Sequence, residues 1–230
     1  MRRAYAFAAA ALAGALLYGC GNQASPGRDF APIQNSVYVS RQGEFQSALV
    51  ENYDKDYYDQ AELEKFLSEA VASFNGGEAA NAGEGSESSA DGGQAQESGE
   101  AEKPPVTLIS CSLQDGVASS VFGYRSADDL IRFAEESGDD SNDFTFLDET
   151  TVADGIVKGY IMDGNFLDAK GQAVGTDEVA KQSKCYVVCV QGAGTIQTEG
   201  KVAYVTDGVT LVDEYTVSTP DGAKSYIIFK

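Results

Sequence analysis

The chain of 230 residues contains no histidine and no tryptophan, and only two methionines, four cysteines and five prolines. Without an imidazole it cannot by itself supply a Ser/His/Asp triad, a Cys/His pair, an HExxH zinc site or a general base whose ordinary pKa lies near neutrality. Positive charge is scarce as well. Sixteen Lys and Arg stand against 36 Asp and Glu, a net charge of −20. That balance argues against nucleic acid as a partner, because binding to a phosphate backbone is driven by lysine and arginine displacing counterions. It argues equally against adhesion to anionic lipid by charge alone. The length supports one domain or little more, and with 43% of residues hydrophobic a sizeable core is within reach.

What is present begins with an address. Arg2 and Arg3 precede an alanine- and leucine-rich stretch over residues 4–17, the pattern of a signal peptide and shorter than the about 20 apolar residues of a membrane-spanning helix. The stretch ends in Leu17-Tyr18-Gly19-Cys20. This resembles the lipobox of bacterial lipoproteins, with a branched residue at −3, a small residue at −1 and then cysteine; Tyr18 departs from the small or branched residue usual at −2. The resemblance implies that Cys20 receives a diacylglyceryl thioether, that residues 1–19 are removed, and that Cys20 holds the protein on the outer face of the cell membrane. Losing Arg2 and Arg3 leaves 14 basic and 36 acidic groups, or −22 for the mature chain. Residues 20–34 read as lipid anchor and flexible tether, and residues 35–230 as a single domain.

Residues 75–103 contain no branched aliphatic and no aromatic side chain. Such a segment buries too little surface to offset a backbone ordering cost of about 1 to 2 kcal/mol per residue, so a disordered acidic insert is expected there. Before it, residues 36–40 and 44–51 flank Arg41-Gln42-Gly43 as a hairpin. A helix follows, with Leu63, Phe66, Leu67, Ala70, Val71 and Phe74 on one stripe, Asp59 as N-cap, Tyr58 and Leu63 as a hydrophobic staple, and Asn75-Gly76-Gly77 as its end. After the insert, residues 106–113 and 117–124 flank Gln114-Asp115-Gly116 as a second hairpin. Ser126 with Asp129 caps a short helix that Gly138 stops. The remainder alternates as strands over residues 144–152, 156–162, 185–190, 202–206, 209–212, 214–217 and 225–229. The expected fold class is α+β, a mainly antiparallel sheet with two helices packed on it; a β-sandwich with one decorating helix is the second architecture.

The segment Asp54-Lys55-Asp56-Tyr57-Tyr58-Asp59, Glu62-Leu63 and the terminal Tyr226-Ile227-Ile228-Phe229-Lys230, taken with the lipobox, resemble lipoproteins of anaerobic Gram-positive bacteria to which no activity is assigned. That resemblance implies the Cys20 anchor and carries no catalytic residue across. The densest chemical constellation is Tyr53 to Asp59, where Asp54 and Asp56 offer carboxylates and Tyr53 and Tyr57 offer rings to stack on a sugar or a peptide side chain. An EF-hand is excluded there, since Asp59 stands where glycine must turn and Lys65 where the closing glutamate must be. Helix capping explains much of the cluster on its own. Asp139-Asp140-Ser141-Asn142-Asp143 reads as a solvated turn, and Gly192-Ala193-Gly194-Thr195 as a turn and not a phosphate loop.

Cys185 and Cys189, four residues apart on one strand face, lie about 13 Å apart and cannot join each other, while either could meet Cys111. No metal or cofactor is expected. The sequence favours a noncatalytic binding or scaffolding domain for an extracellular ligand or envelope protein. The alternative is a small carboxylate-dependent hydrolase acting on glycans, for which Asp148-Glu149 could supply one partner of an acid pair.

Overall fold

The computed structural model describes residues 27–53, 59–83, 103–162 and 164–230. Among them the fold is α+β, with thirteen strands in two sheets and four helices. The order is β1 (Ser36–Val39), β2 (Phe45–Asn52), α1 (Gln60–Gly83), β3 (Val106–Gln114), β4 (Val117–Tyr124), α2 (Ala127–Ser137), β5 (Phe146–Thr151) and α3 (Val152–Val157). Then follow β6 (Phe166–Asp168), β7 (Ala173–Val174), α4 (Thr176–Ala180), β8 (Tyr186–Gln191), β9 (Gly194–Thr198), β10 (Val202–Thr206), β11 (Thr210–Leu211), β12 (Thr216–Thr219) and β13 (Ser225–Phe229).

One sheet runs β11-β12-β9-β1-β2-β4-β3 and the other β5-β8-β13-β10-β6-β7. Every pair is antiparallel except β1 with β9, which run parallel with Val37 beside Ile196. Both expected hairpins form. Val39 faces Phe45 across a turn in which Gly43 has φ 69°. Gln114 faces Val117 across Asp115 and Gly116, whose φ values of 51° and 77° make the two-residue turn that matches strand twist.

The single sheet of the sequence reading is corrected to two, packed face to face. Val37, Val39, Phe45, Ile196 and Val217 of the larger sheet share one core with Leu147, Val188, Val190, Ile227 and Phe229 of the smaller. The strands β8 and β13 are apolar on both faces because α3, α4 and the segments around them cover the far side. There Val152, Ile161, Phe166 and Val179 meet Val187 and Ile228. The run over residues 156–162, expected as a strand, is instead the end of α3 and a turn. Val152, Ile156 and Tyr160 all face this second core at a spacing of four, and Thr151 caps the helix by accepting from the Asp154 N–H. The glycine-rich stretch read as a turn starts β9, held between β1 and β12.

Helix α2 is as expected. The Ser126 hydroxyl accepts from the Asp129 N–H at 3.1 Å, the Asp129 carboxylate accepts from the Ser126 hydroxyl at 2.8 Å, and Gly138 closes the helix with φ 70°. Asp59 caps α1, accepting from the N–H groups of Ala61 and Glu62 at 2.8 and 3.1 Å; Tyr58 lies outside the described residues. The helix does not end at Asn75, however, but continues to Gly83. Asn75 is a tie and not a stop: its side chain donates to the Val106 carbonyl at 2.9 Å and accepts from the Val106 N–H at 3.0 Å. Gln60 does the same at the other end, accepting from the Leu113 N–H at 3.2 Å and donating to the Cys111 carbonyl at 3.4 Å. Fifteen helical residues span about 22 Å and six strand residues about 20 Å, so two amides on one helix can sheathe both ends of edge strand β3. The expected disordered insert thus loses its first nine residues to α1, and residues 84–102 lie outside the described residues.

The tether is corrected in the same way. Residues 28–34 lie on the outer face of the larger sheet, where Phe30 stacks on Tyr38 at 5.3 Å. The Arg28 N–H donates to the Glu199 carbonyl at 2.9 Å, and the Tyr38 hydroxyl donates to the Arg28 carbonyl at 3.0 Å. An aromatic residue with a ring to cover gains more by packing than a free linker retains in entropy. The three described cysteines are free thiols: Cys189 is buried in β8 and Cys185 just before it, while Cys111 sits half-buried on β3 of the other sheet, so no strand pairing brings it to either.

Candidate functional site

A groove of about 520 Å³ opens between α1, the C-terminal end of α2 and the inner face of β2 and β4. Its origin can be traced residue by residue. Phe133 of α2 meets Phe74 of α1 edge-on at 5.4 Å and Phe122 of β4 at 5.3 Å, so the three elements close firmly at that end. The next inward side chains along β4 are Ser120 and Ala118, which are too small to reach the helix. The helix is nevertheless held along the edge strand by Gln60 and Asn75, and so a gap remains between it and the sheet. The apolar stripe of α1 therefore divides. Phe74 is buried, whereas Leu63, Phe66, Leu67 and Ala70 form a groove wall, with Phe66 67% exposed.

Leu49, Phe122 and Phe133 make the floor, and Glu51, Tyr53, Glu136, Asp139 and Asp140 stand around it. Of the four ligand-binding candidates, Tyr53 is a lining residue, with its hydroxyl donating to the Glu51 carboxylate at 2.8 Å. Asp54, Asp56 and Tyr57 lie outside the described residues, as does Cys20. The acidic turn after α2, read as merely solvated, also contributes to the groove. Asp139 accepts from the Ser141 N–H at 2.9 Å, and Asn142 accepts from the Thr195 N–H of β9 at 3.0 Å, so the turn is pinned to the sheet. The aromatic floor drew no notice in sequence because Phe122 and Phe133 belong to elements that meet only in the folded chain; the one available signal was an α1 stripe longer than a single core contact needs.

Asp148 and Glu149 are consecutive on β5 and therefore project from opposite faces. Asp148 accepts from Lys158 Nζ at 2.7 Å and from the Tyr160 hydroxyl at 3.0 Å. Glu149 lies on the other face, where its Oε2 would be 3.3 Å from a Cβ built on Gly43 of the β1–β2 turn, and its Oε1 is buried without a hydrogen-bond partner among the described residues. Burial, reinforced by the Asp148 charge, pushes its pKa up to about 7. Neither carboxylate lines the groove, and they do not form an acid pair with each other. Among the described residues no three Cys, Asp or Glu side chains converge as metal ligands.

The raised Glu149 pKa has a measurable sign. A carboxyl whose pKa is higher in the folded than in the unfolded state contributes stability that is fully present below about pH 4 and is lost as pH rises through about 7. Glu149→Gln should therefore change stability little at pH 4 and raise it by about 1 to 2 kcal/mol at pH 8, a figure already reduced for the partial solvent access of this side chain. Urea unfolding at the two pH values checks this, and an equal effect at both would reject the assignment.

No family model, no curated protein and no solved structure matches this chain.

Proposed function

We propose that the protein is a membrane-anchored envelope lipoprotein that binds an extracellular ligand without turning it over, and that the groove beside α1 is its binding site. The observation that carries this reading is the split apolar stripe: a helix leaves Leu63 and Phe66 facing an open groove whose floor is aromatic and whose rim includes Tyr53. Burying the apolar side chains of that wall would be worth about 25 cal/mol per Å², and a concave, mostly apolar site with a few polar groups is what small ligands and peptide segments use. The lipobox at Cys20 supports the location on the outer face of the membrane. The reading as a carboxylate-dependent hydrolase finds less support, since Asp148 is held by Lys158 and Tyr160 and Glu149 faces inward away from the groove.

Titration calorimetry of the protein against envelope glycan fragments and peptides tests the proposal. A ligand should be found whose affinity falls at least about tenfold, or 1.4 kcal/mol, in both Phe66→Ser and Tyr53→Ala, with no product formed. Unchanged affinity in both variants would remove the groove, and saturable hydrolysis abolished by one Asp or Glu substitution would replace binding with catalysis.

A further inference from the structure

We infer that the ligand of this groove is a cationic peptide segment, apolar side chains flanked by lysine or arginine; the inference rests on the groove being the binding site. Four carboxylates line it, Glu51 at the end of β2 and Glu136, Asp139 and Asp140 at the end of α2, and among the described residues no lysine or arginine does. Arg132 reaches Glu136 at 3.7 Å and offsets part of that charge. The backbone adds to the negative potential, because the C-terminal, negative end of the α2 dipole lies beside the same rim.

The composition of that helix end adds to the acidity of the rim. None of the four described helices has a basic residue in its last turn, and in α2 the acids Glu135 and Glu136 stand there, with Asp139 and Asp140 just beyond. Each acid there opposes the helix dipole. A ligand that brings positive charge to the mouth of this apolar groove would offset the acids gathered there. Apolar walls focus the field of the rim onto whatever enters.

The same charges exclude the nearer occupants. Residues 84–102 carry six acids and no base, and a second copy of a chain with net charge −20 brings like charge to the rim. An anionic glycan is disfavoured for the same reason. What fits is a peptide whose apolar side chains reach Phe66 and Leu63 while its ammonium or guanidinium groups meet Glu51, Glu136 and Asp140.

The absence of tryptophan makes the test direct. The full chain, made by cell-free synthesis without membranes so that Cys20 carries no acyl group, is titrated with three seven-residue peptides. Each has two leucines around one tryptophan, flanked at both ends by lysines, serines or glutamates, and the blue shift of the only indole present reports its burial. The lysine peptide should bind at least about tenfold more tightly than the serine peptide at low salt, and the glutamate peptide should not bind. The advantage should vanish in the triple variant Glu136→Gln, Asp139→Asn, Asp140→Asn and survive in Asp177→Asn with Glu178→Gln, on α4. Phe66→Ser should weaken the lysine and serine peptides alike.

Equal binding of the lysine and serine peptides, both weakened by Phe66→Ser, would overturn the cationic ligand and leave the groove as a binding site. Loss of the lysine advantage in the α4 variant would also overturn it, by tracing the effect to overall charge. No blue shift with any of the three peptides would overturn the groove itself.

Discussion

Cys20→Ala is expected to release the protein from the membrane fraction, as soluble or unprocessed precursor, while the native chain partitions wholly with the membrane. The size of this effect follows from how little else could hold the protein there. A chain cut before Cys20, with 14 basic and 36 acidic groups, would be repelled by anionic lipid and gain nothing from surface charge. Among the described residues no helix is long and apolar enough to cross a membrane. On the proposed reading the acyl chains would supply the attachment, at about 0.8 kcal/mol per buried methylene, and two or more chains suffice where one is marginal. Mass spectrometry of the mature N-terminus should find an acylated cysteine. An unmodified mature chain that begins elsewhere would sink the assignment. Because the chain is seated on the sheet from Arg28 onward, an anchor at Cys20 would stand eight residues, or at most about 28 Å, from the folded body. Such an anchor would hold the protein close to the bilayer.

The second large effect is expected in the aromatic cluster that shapes the groove. Phe133 is 6% exposed and meets Phe74, Phe122 and Tyr124 at centroid distances of 5.4, 5.3 and 6.1 Å. It is therefore the side chain through which α1, α2 and β4 touch. Phe133→Ala removes a buried ring and leaves a cavity that three tied elements cannot collapse, at a cost of about 3 to 5 kcal/mol. In a chain of this size that lowers the melting temperature by about 6 to 20 °C. Phe133→Leu, which keeps most of the volume, should recover over half of the loss. If Phe133→Ala melted within about 2 °C of the native protein, the cluster would not be what fixes α1 over the sheet.

Local features were legible in the sequence wherever the physics is local. Asp115-Gly116 demands positive φ at two successive residues and so declares a two-residue hairpin. Ser126 with Asp129, and Gly138 eleven residues after Ala127, mark both ends of α2 because caps answer to the orphan groups of their own helix. The final strand, residues 225–229, has the bounds its sequence predicts, since its alternation and its Pro220-Asp221-Gly222 turn need no distant partner.

Tertiary structure decided the rest. Gly194–Thr198 is a strand because β1 and β12 flank it on both sides, and nothing in five residues that follow a glycine-rich turn signal announces such neighbours. Residues 152–160 hide a helical spacing inside a β-rich run, and the choice fell to helix because Val152, Ile156 and Tyr160 can then all reach the second core. Asn75 looked like a helix terminator, and its amide instead found both backbone groups of Val106, thirty-one residues away. The groove belongs to this class entirely. The absence of histidine, the acid surplus, the Cys20 motif and the apolar stripe of α1 were all present in the linear chain. That the stripe would stand away from the sheet beside Ser120 and Ala118, with Tyr53 and the acids after α2 around the gap, depended on contacts between distant segments, whose closure entropy and packing no short window of sequence contains.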